Sequence, residues 1–139
     1  FEAGDLPLVE CRAEQIGQVL LNLVVNAADA IRERGDAMLP GRIQIRTRCD
    51  GPEVVLEVED SGVGIEPGVQ SRLFEPFFTT KQPGQGTGQG LALARHIVVE
   101  THRGWLGFHS FPGVGSTFTV RLPISAAQAE GGPQMEEAR

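Results

Sequence analysis

One segment restricts the fold of this chain more than any other. From about Ala13 to Arg34 the sequence runs without proline, with Gly17 as its one glycine, and Gly35 and Pro40 close it as helix-stopping residues. On a helix advancing by about 100° per residue, Gln15, Gln18, Asn22, Asn26 and Asp29 share a wedge of roughly 80°. Most of the remaining circumference is Ile16, Val19, Leu20, Leu21, Leu23, Val24, Val25, Ala27 and Ala28. A helix this apolar must be covered on most sides, so the chain needs a sheet to lay it on.

Candidate strands follow. Arg42 to Arg48 alternates, with Ile43, Ile45 and Thr47 on one face; Asp50-Gly51 is a hairpin signal; and Glu53 to Glu59 returns with Val54, Leu56 and Val58 inward. Pro7 to Glu10 reads as a further short strand, and Gly104–Ser110 and Ser116–Leu122 as two more joined by a turn at Phe111–Gly115. Helices are expected around Val69–Phe74 and from about Gly88 to Thr101. The sum is an α+β two-layer sandwich: a mixed, mostly antiparallel sheet of about five strands, covered on one face by about three helices. The domain is expected over 1–125. Residues 126–139 lack apolar periodicity and read as a disordered tail or linker remnant.

Composition adds exclusions. A net charge of −6 speaks against a nucleic-acid or anionic-membrane partner. No apolar run approaches the roughly 20 residues of a membrane span. The start at Phe1 suggests an excised fragment. Cys11 and Cys49 lack metal or redox spacing and read as buried free thiols; His96, His102 and His109 add no metal signature.

Three segments carry chemistry. Asparagine is a poor residue inside a helix because its amide competes with the backbone. Asn22 and Asn26, one turn apart in an apolar helix, therefore call for a polar ligand: their carbonyls suit Mg²⁺ and their amides can donate to phosphate oxygens. Gln15 and Gln18 read as solvent-facing. Asp60 continues the inward series Val54, Leu56, Val58, so its carboxylate needs a partner. The glycines of Ser61-Gly62-Val63-Gly64-Ile65 let something planar approach closely, and an adenine amino group fits; an Asp capping its own turn is the competing reading. From Gly84 to Gly90 glycine falls at every second position, and the run opens directly into Leu91, Ala92, Leu93, Ala94, an anion-binding arrangement. It matches neither a P-loop nor a dinucleotide-binding fingerprint.

Taken in order, these segments resemble the ATP-binding catalytic domain of bacterial sensor histidine kinases, within the superfamily that includes gyrase B, Hsp90 and MutL (the Bergerat fold). Asn22 to Ala30 resembles the family's N box, Asp60 to Ile65 its first glycine box, Leu73 to Lys81 the F box, Gly86 to Leu91 the second glycine box and Gly113 to Phe118 the last. The Asn-Ala-Ala-Asp-Ala wording is similar to the nitrogen- and dicarboxylate-sensing subset. The resemblance implies cofactors ATP and Mg²⁺, with Asn26 as the catalytic metal ligand and Asn22 and Ala30 beside it. Asp60, Gly62, Gly64, Ile65 and Thr117 would form the base pocket. Gly86, Thr87, Gly88, Gly90 and Leu91 would wrap the phosphates, with Lys81 as a candidate cation. Phe74, Phe77 and Phe78 would anchor the loop or meet a partner domain, plain core packing being expected for at least one. Asp29 departs from the basic residue many relatives carry there, which shifts charge neutralisation to the metal, Lys81, Arg32 or Arg34. Gln89 stands where leucine is commoner.

The resemblance further implies a phosphoacceptor histidine on a separate dimerisation hairpin, a response regulator downstream, and a cytoplasmic location that leaves the parent protein open to anchoring in the inner membrane. The fragment is expected to be monomeric and its parent a homodimer. No helix long enough for an acceptor hairpin precedes Pro7, so the fragment is expected to bind ATP without phosphorylating itself on histidine. The alternatives are a non-kinase ATPase of the same superfamily and a degenerate nucleotide-binding module.

Overall fold

The computed structural model describes residues 4–35, 40–76 and 90–125. The long helix, α1, spans Ala13–Arg34 and ends on Gly35 at φ 65°, a left-handed conformation that glycine adopts without cost. Strands β1 (Ile43–Asp50) and β2 (Glu53–Asp60) form the expected hairpin, with Asp50 opposite Glu53 and Gly51 at φ 62° in the turn. A short helix, α2 (Pro67–Gln70), starts on its proline. Helix α3 (Gly90–Arg95) continues into π-helical turns over His96–Thr101. Strands β3 (Trp105–Phe111) and β4 (Gly115–Pro123) complete the sheet.

Among the described residues the sheet has four strands in the order β1-β2-β4-β3, and every pairing is antiparallel. The expected strand at Pro7–Glu10 is not formed. Proline has no N–H to give a ladder, and the segment is tied by an isolated bond from the Glu10 N–H to the Ile124 carbonyl, while Leu8 is exposed. The expected tail over 126–139, and Phe77, Phe78, Lys81, Gly86, Thr87, Gly88 and Gln89, lie outside the described residues.

The core lies between one face of the sheet and the helices. Val54, Val58, Leu106, Phe118, Val120 and Leu122 meet Val19, Leu23 and Ala27 of α1 and Ala94, Ile97 and Val98 of the second helical segment. Phe74 packs edge-on against Phe108 and Phe118, with ring centroids 5.9 and 6.5 Å apart, so it is a core residue. The opposite sheet face is polar: Arg46 bridges Glu57 and Glu59, and Arg121 bridges Asp50 and Glu53. Both cysteines are exposed rather than buried. Cys49 sits at the far end of edge strand β1 and Cys11 in the segment before α1, neither of them covered by the helix layer. No helix among the described residues is long and apolar enough to cross a membrane.

The π-helical turns end on His102, which ties them to the start of α1. The wider turn brings the His102 N–H to the Ile97 carbonyl at 3.1 Å, and the His102 ring folds back with Nδ1 2.9 Å from the same oxygen. Nε2 accepts the Arg12 N–H at 2.9 Å, so Nδ1 carries the ring proton and donates. The start of α1, which has no side-chain cap, is fastened there to the end of the second helix.

Candidate nucleotide site

α1 supplies one wall. Its buried positions Val19, Leu23 and Ala27 fix the rotation of the helix against the sheet. That rotation leaves Asn22 and Asn26 only half-buried, at the edge of the core. Asn22 is engaged at both ends of its amide: its Oδ1 accepts from Gln18 Nε2 at 2.8 Å and its Nδ2 donates to the Gly90 carbonyl at 3.1 Å. It ties α1 to the first residue of α3. Asn26 makes no side-chain hydrogen bond among the described residues, which leaves its amide available to a ligand. Gln18 is exposed, as expected. Gln15 is not: it is half-buried and its Oε1 is buried without a partner.

The second wall is the glycine turn after β2. Gly62 is pressed against α1, where a Cβ would lie 2.6 Å from the Ala30 Cβ. The Val63 N–H donates to the Ala30 carbonyl at 3.2 Å. Gly64 adopts φ 76°, and a side chain there would run into the Phe111 carbonyl. Arg34, half-buried, donates from Nη1 to the Ser61 carbonyl at 3.0 Å and to that of Gly62 at 3.4 Å. Its guanidinium braces the turn, which corrects its candidacy as a phosphate-neutralising group. Arg32 pairs with Asp29 at 3.3 Å, so the acid in the N box is answered by its own helix.

Asp60 ends β2 and is 5% exposed. Its Oδ1 accepts the Gly62 N–H at 2.8 Å, the turn-capping bond expected of an Asp in this sequence. Its Oδ2 is buried with no hydrogen-bond partner. Burial pushes the carboxyl above the ordinary aspartate range; the Gly62 and Ser116 N–H groups offset part of this, and the Glu59 charge adds to it. A buried carboxylate with one oxygen unanswered is costly, so it marks a place where a donor is missing.

Strand register decides who sits beside it. Asp60 is opposite Ser116, and Ser116 is opposite Ser110, so one cross-strand row joins β2, β4 and β3 on the core side. Thr117, opposite Glu59 and His109, points from the other face of the sheet. The structure therefore does not bring Thr117 to Asp60; Ser116, its neighbour in sequence, takes that place. Alternation along β4 was the signal that could have shown this: Phe118, Val120 and Leu122 are inward, hence so is Ser116. The Ile65 N–H reaches the same row, donating to Ser110 Oγ at 2.7 Å. Leu91, half-buried, packs against the core from the first turn of α3.

This geometry agrees with comparisons to known proteins. Residues 11–126 match the model of the histidine kinase-, DNA gyrase B- and HSP90-like ATPase family. The chain belongs to that family. It is 41% identical over 88% of its length to the signal transduction histidine-protein kinase AtoS of Escherichia coli strain K12, and 39% identical over 93% to the sensor kinase CckA of Brucella abortus strain 2308. It spans 19% and 15% of those relatives. Its fold is similar to the catalytic domain of histidine kinase ThkA in a nucleotide-free form, with a TM-score of 0.74, 34% identity, and coverage of 89% of this chain and 78% of that one. This ATPase-family domain is thus of the sensor histidine kinase type, and it corresponds to the catalytic domain of those kinases rather than to their whole length.

Proposed function

We propose that this domain binds Mg²⁺–ATP between α1, the glycine turn and the segment leading into α3, and delivers the γ-phosphoryl group to a histidine on a dimerisation hairpin of its parent protein. The observation that carries the reading is the unanswered, buried Oδ2 of Asp60 at the mouth of a turn held against α1 by Gly62. An adenine amino group is the donor that position lacks.

The residues fit the ligand at both ends. At the base end, Asp60 accepts from the amino group, Gly62 and Gly64 keep the turn free of side chains, and Ile65 packs on the core behind it. At the phosphate end, the free amide of Asn26 would ligate Mg²⁺ through its oxygen, and Asn22 holds Gly90 at the entry to α3. The metal, when bound, neutralises phosphate charge and orients the terminal phosphoryl group. Lys81, Gly86, Thr87 and Gly88 are proposed as phosphate contacts on the resemblance alone. Phosphoryl transfer calls chiefly for such positioning and charge neutralisation. In the transfer, the acceptor nitrogen forms a bond to phosphorus as the bond to the β-bridging oxygen breaks, and ADP leaves. The domain's own His102 has both ring nitrogens hydrogen-bonded and is no acceptor.

The test is reconstitution. The parent's histidine-bearing hairpin, added to this domain with Mg²⁺ and γ-labelled ATP, should acquire acid-labile, base-stable label, and the domain alone should not. Label on the domain alone, or none on the hairpin while ATP is bound, would sink the kinase reading. A calorimetric titration with Mg²⁺–ADP showing no heat would favour a degenerate module.

A further inference from the structure

The row Asp60–Ser116–Ser110 contains more order than the base pocket requires. Ser110 Oγ has three neighbours: the Ile65 N–H at 2.7 Å, the Gly115 carbonyl at 3.2 Å and Ser116 Oγ at 2.8 Å. A hydroxyl has one hydrogen and two lone pairs. The Ile65 N–H can only donate, so it occupies one lone pair. The Gly115 carbonyl can only accept, so it takes the hydrogen. The second lone pair is what remains for Ser116, and Ser116 must therefore donate its own hydrogen to Ser110. With its proton turned away along the strand row, the Ser116 hydroxyl is left as an acceptor. Beside it lies Asp60, whose Oδ2 is also an acceptor without a partner.

We infer that Ser110 is a positioning residue: it fixes the Ser116 hydroxyl as an acceptor next to Asp60, and the resulting pair of acceptors selects purines with a 6-amino group over 6-oxo purines. This rests on the nucleotide-binding reading. An amino group carries two hydrogens and can answer both acceptors, directly or through one water. A 6-oxo purine puts a third acceptor in the place of that donor and offers a single hydrogen on this edge, at N1, so at least two of the three acceptors go unanswered in a buried site, which is costly. Ser110 is placed by strand pairing and never needs to touch the base, so its influence runs through the orientation of one proton.

The experiment compares binding of Mg²⁺–ATP and Mg²⁺–ITP, which differ in the 6-substituent, by calorimetry. Wild type should prefer ATP. In Ser110→Ala the Ser116 hydroxyl is released to donate into the pocket, and the ATP/ITP preference should fall about tenfold, the size of one lost hydrogen-bond discrimination. Ser110→Thr, which keeps the hydroxyl, should restore it. Ser116→Ala should lower the preference by a similar factor, and the double variant should fall no further. A merely structural Ser110 would lower the thermal midpoint and weaken ATP and ITP alike; that outcome, or additive losses in the double variant, overturns the inference. Should Ser110→Ala fail to fold, Ser116→Ala and Ser110→Thr still decide: an unchanged preference in the first, or a lost one in the second, is fatal. Absence of any nucleotide binding by wild type would instead refute the reading on which the inference stands.

Discussion

Replacing Asp60 with Asn should make the nucleotide-free domain more stable and the nucleotide-bound domain less so. In the free domain Oδ2 is buried and unpaired, on a carboxyl that burial pushes above its ordinary value of 3.8. An asparagine keeps the oxygen that accepts the Gly62 N–H and removes the charge. A buried polar atom without a partner costs about 1–3 kcal/mol, and the amide still leaves its NH₂ unanswered, so about 1 kcal/mol should be regained. For a domain of this size that raises the thermal midpoint by about 3–5 °C near neutral pH. The gain must depend on pH. Because the folded pKa lies above the unfolded one, the folded state holds the proton over the interval between them. Wild-type stability is therefore fullest below the unfolded value and falls as pH rises through the folded one. The advantage of Asp60→Asn should accordingly shrink as pH is lowered through that interval. With Mg²⁺–ATP at about 100 times the dissociation constant, wild type gains about 2.7 kcal/mol. The variant, presenting an amide donor to the adenine amino group, should bind about 10- to 100-fold more weakly and keep only about 1.4 to 0.4 kcal/mol of that gain. Differential scanning calorimetry from about pH 4 to about pH 8, with and without nucleotide, reads both effects. A variant less stable than wild type at neutral pH without nucleotide, or a stabilisation independent of pH, would refute the account of Asp60 as an unanswered buried carboxylate.

Other expectations follow from the same geometry. Asn26→Ala should leave the thermal midpoint of the free domain unchanged or slightly raised, since the amide bonds to nothing among the described residues and alanine is the better helix former by about 0.5 kcal/mol. It should abolish the Mg²⁺-dependent part of nucleotide binding in calorimetry; a matched loss of adenosine binding would count against its role as metal ligand. Gly64→Ala, forced to a φ of 76° with its side chain against the Phe111 carbonyl, should destabilise the domain. The loss, about 2–4 kcal/mol, should appear as a lower urea midpoint.

Much of this is legible in the sequence, and the particular successes show why. The helix Ala13–Arg34 is bounded by residues whose backbone preferences are local, so its limits can be read directly. The Asp50-Gly51 hairpin and the inward Asp60 follow from alternation, which a two-residue turn keeps in register. The failures involve information held elsewhere in the chain. Thr117 is the exception: motif wording singles it out, although the alternation of Phe118, Val120 and Leu122 along β4 already places Ser116 and not Thr117 on the inward face. Arg34 is one cation among several until folding places the Ser61 and Gly62 carbonyls in front of it. Nothing local marks the segment after Arg95 for a π turn; the wide turn accompanies the meeting of the His102 ring with the Arg12 N–H across 90 residues.

The contact of Gly62 with Ala30 has a metric consequence. Asn26 and Ala30 stand four residues apart on one rigid helix, about 6 Å along its axis. The amide proposed to face the metal and the turn proposed to face the base are thus two marks on a single ruler, whose spacing is set by helical pitch rather than by loop conformation. Deleting one residue between them would rotate the amide by about 100° relative to the turn while leaving every side chain of the pocket present. A nucleotide would then find each contact intact in kind, with those at its two ends no longer at the right separation from each other.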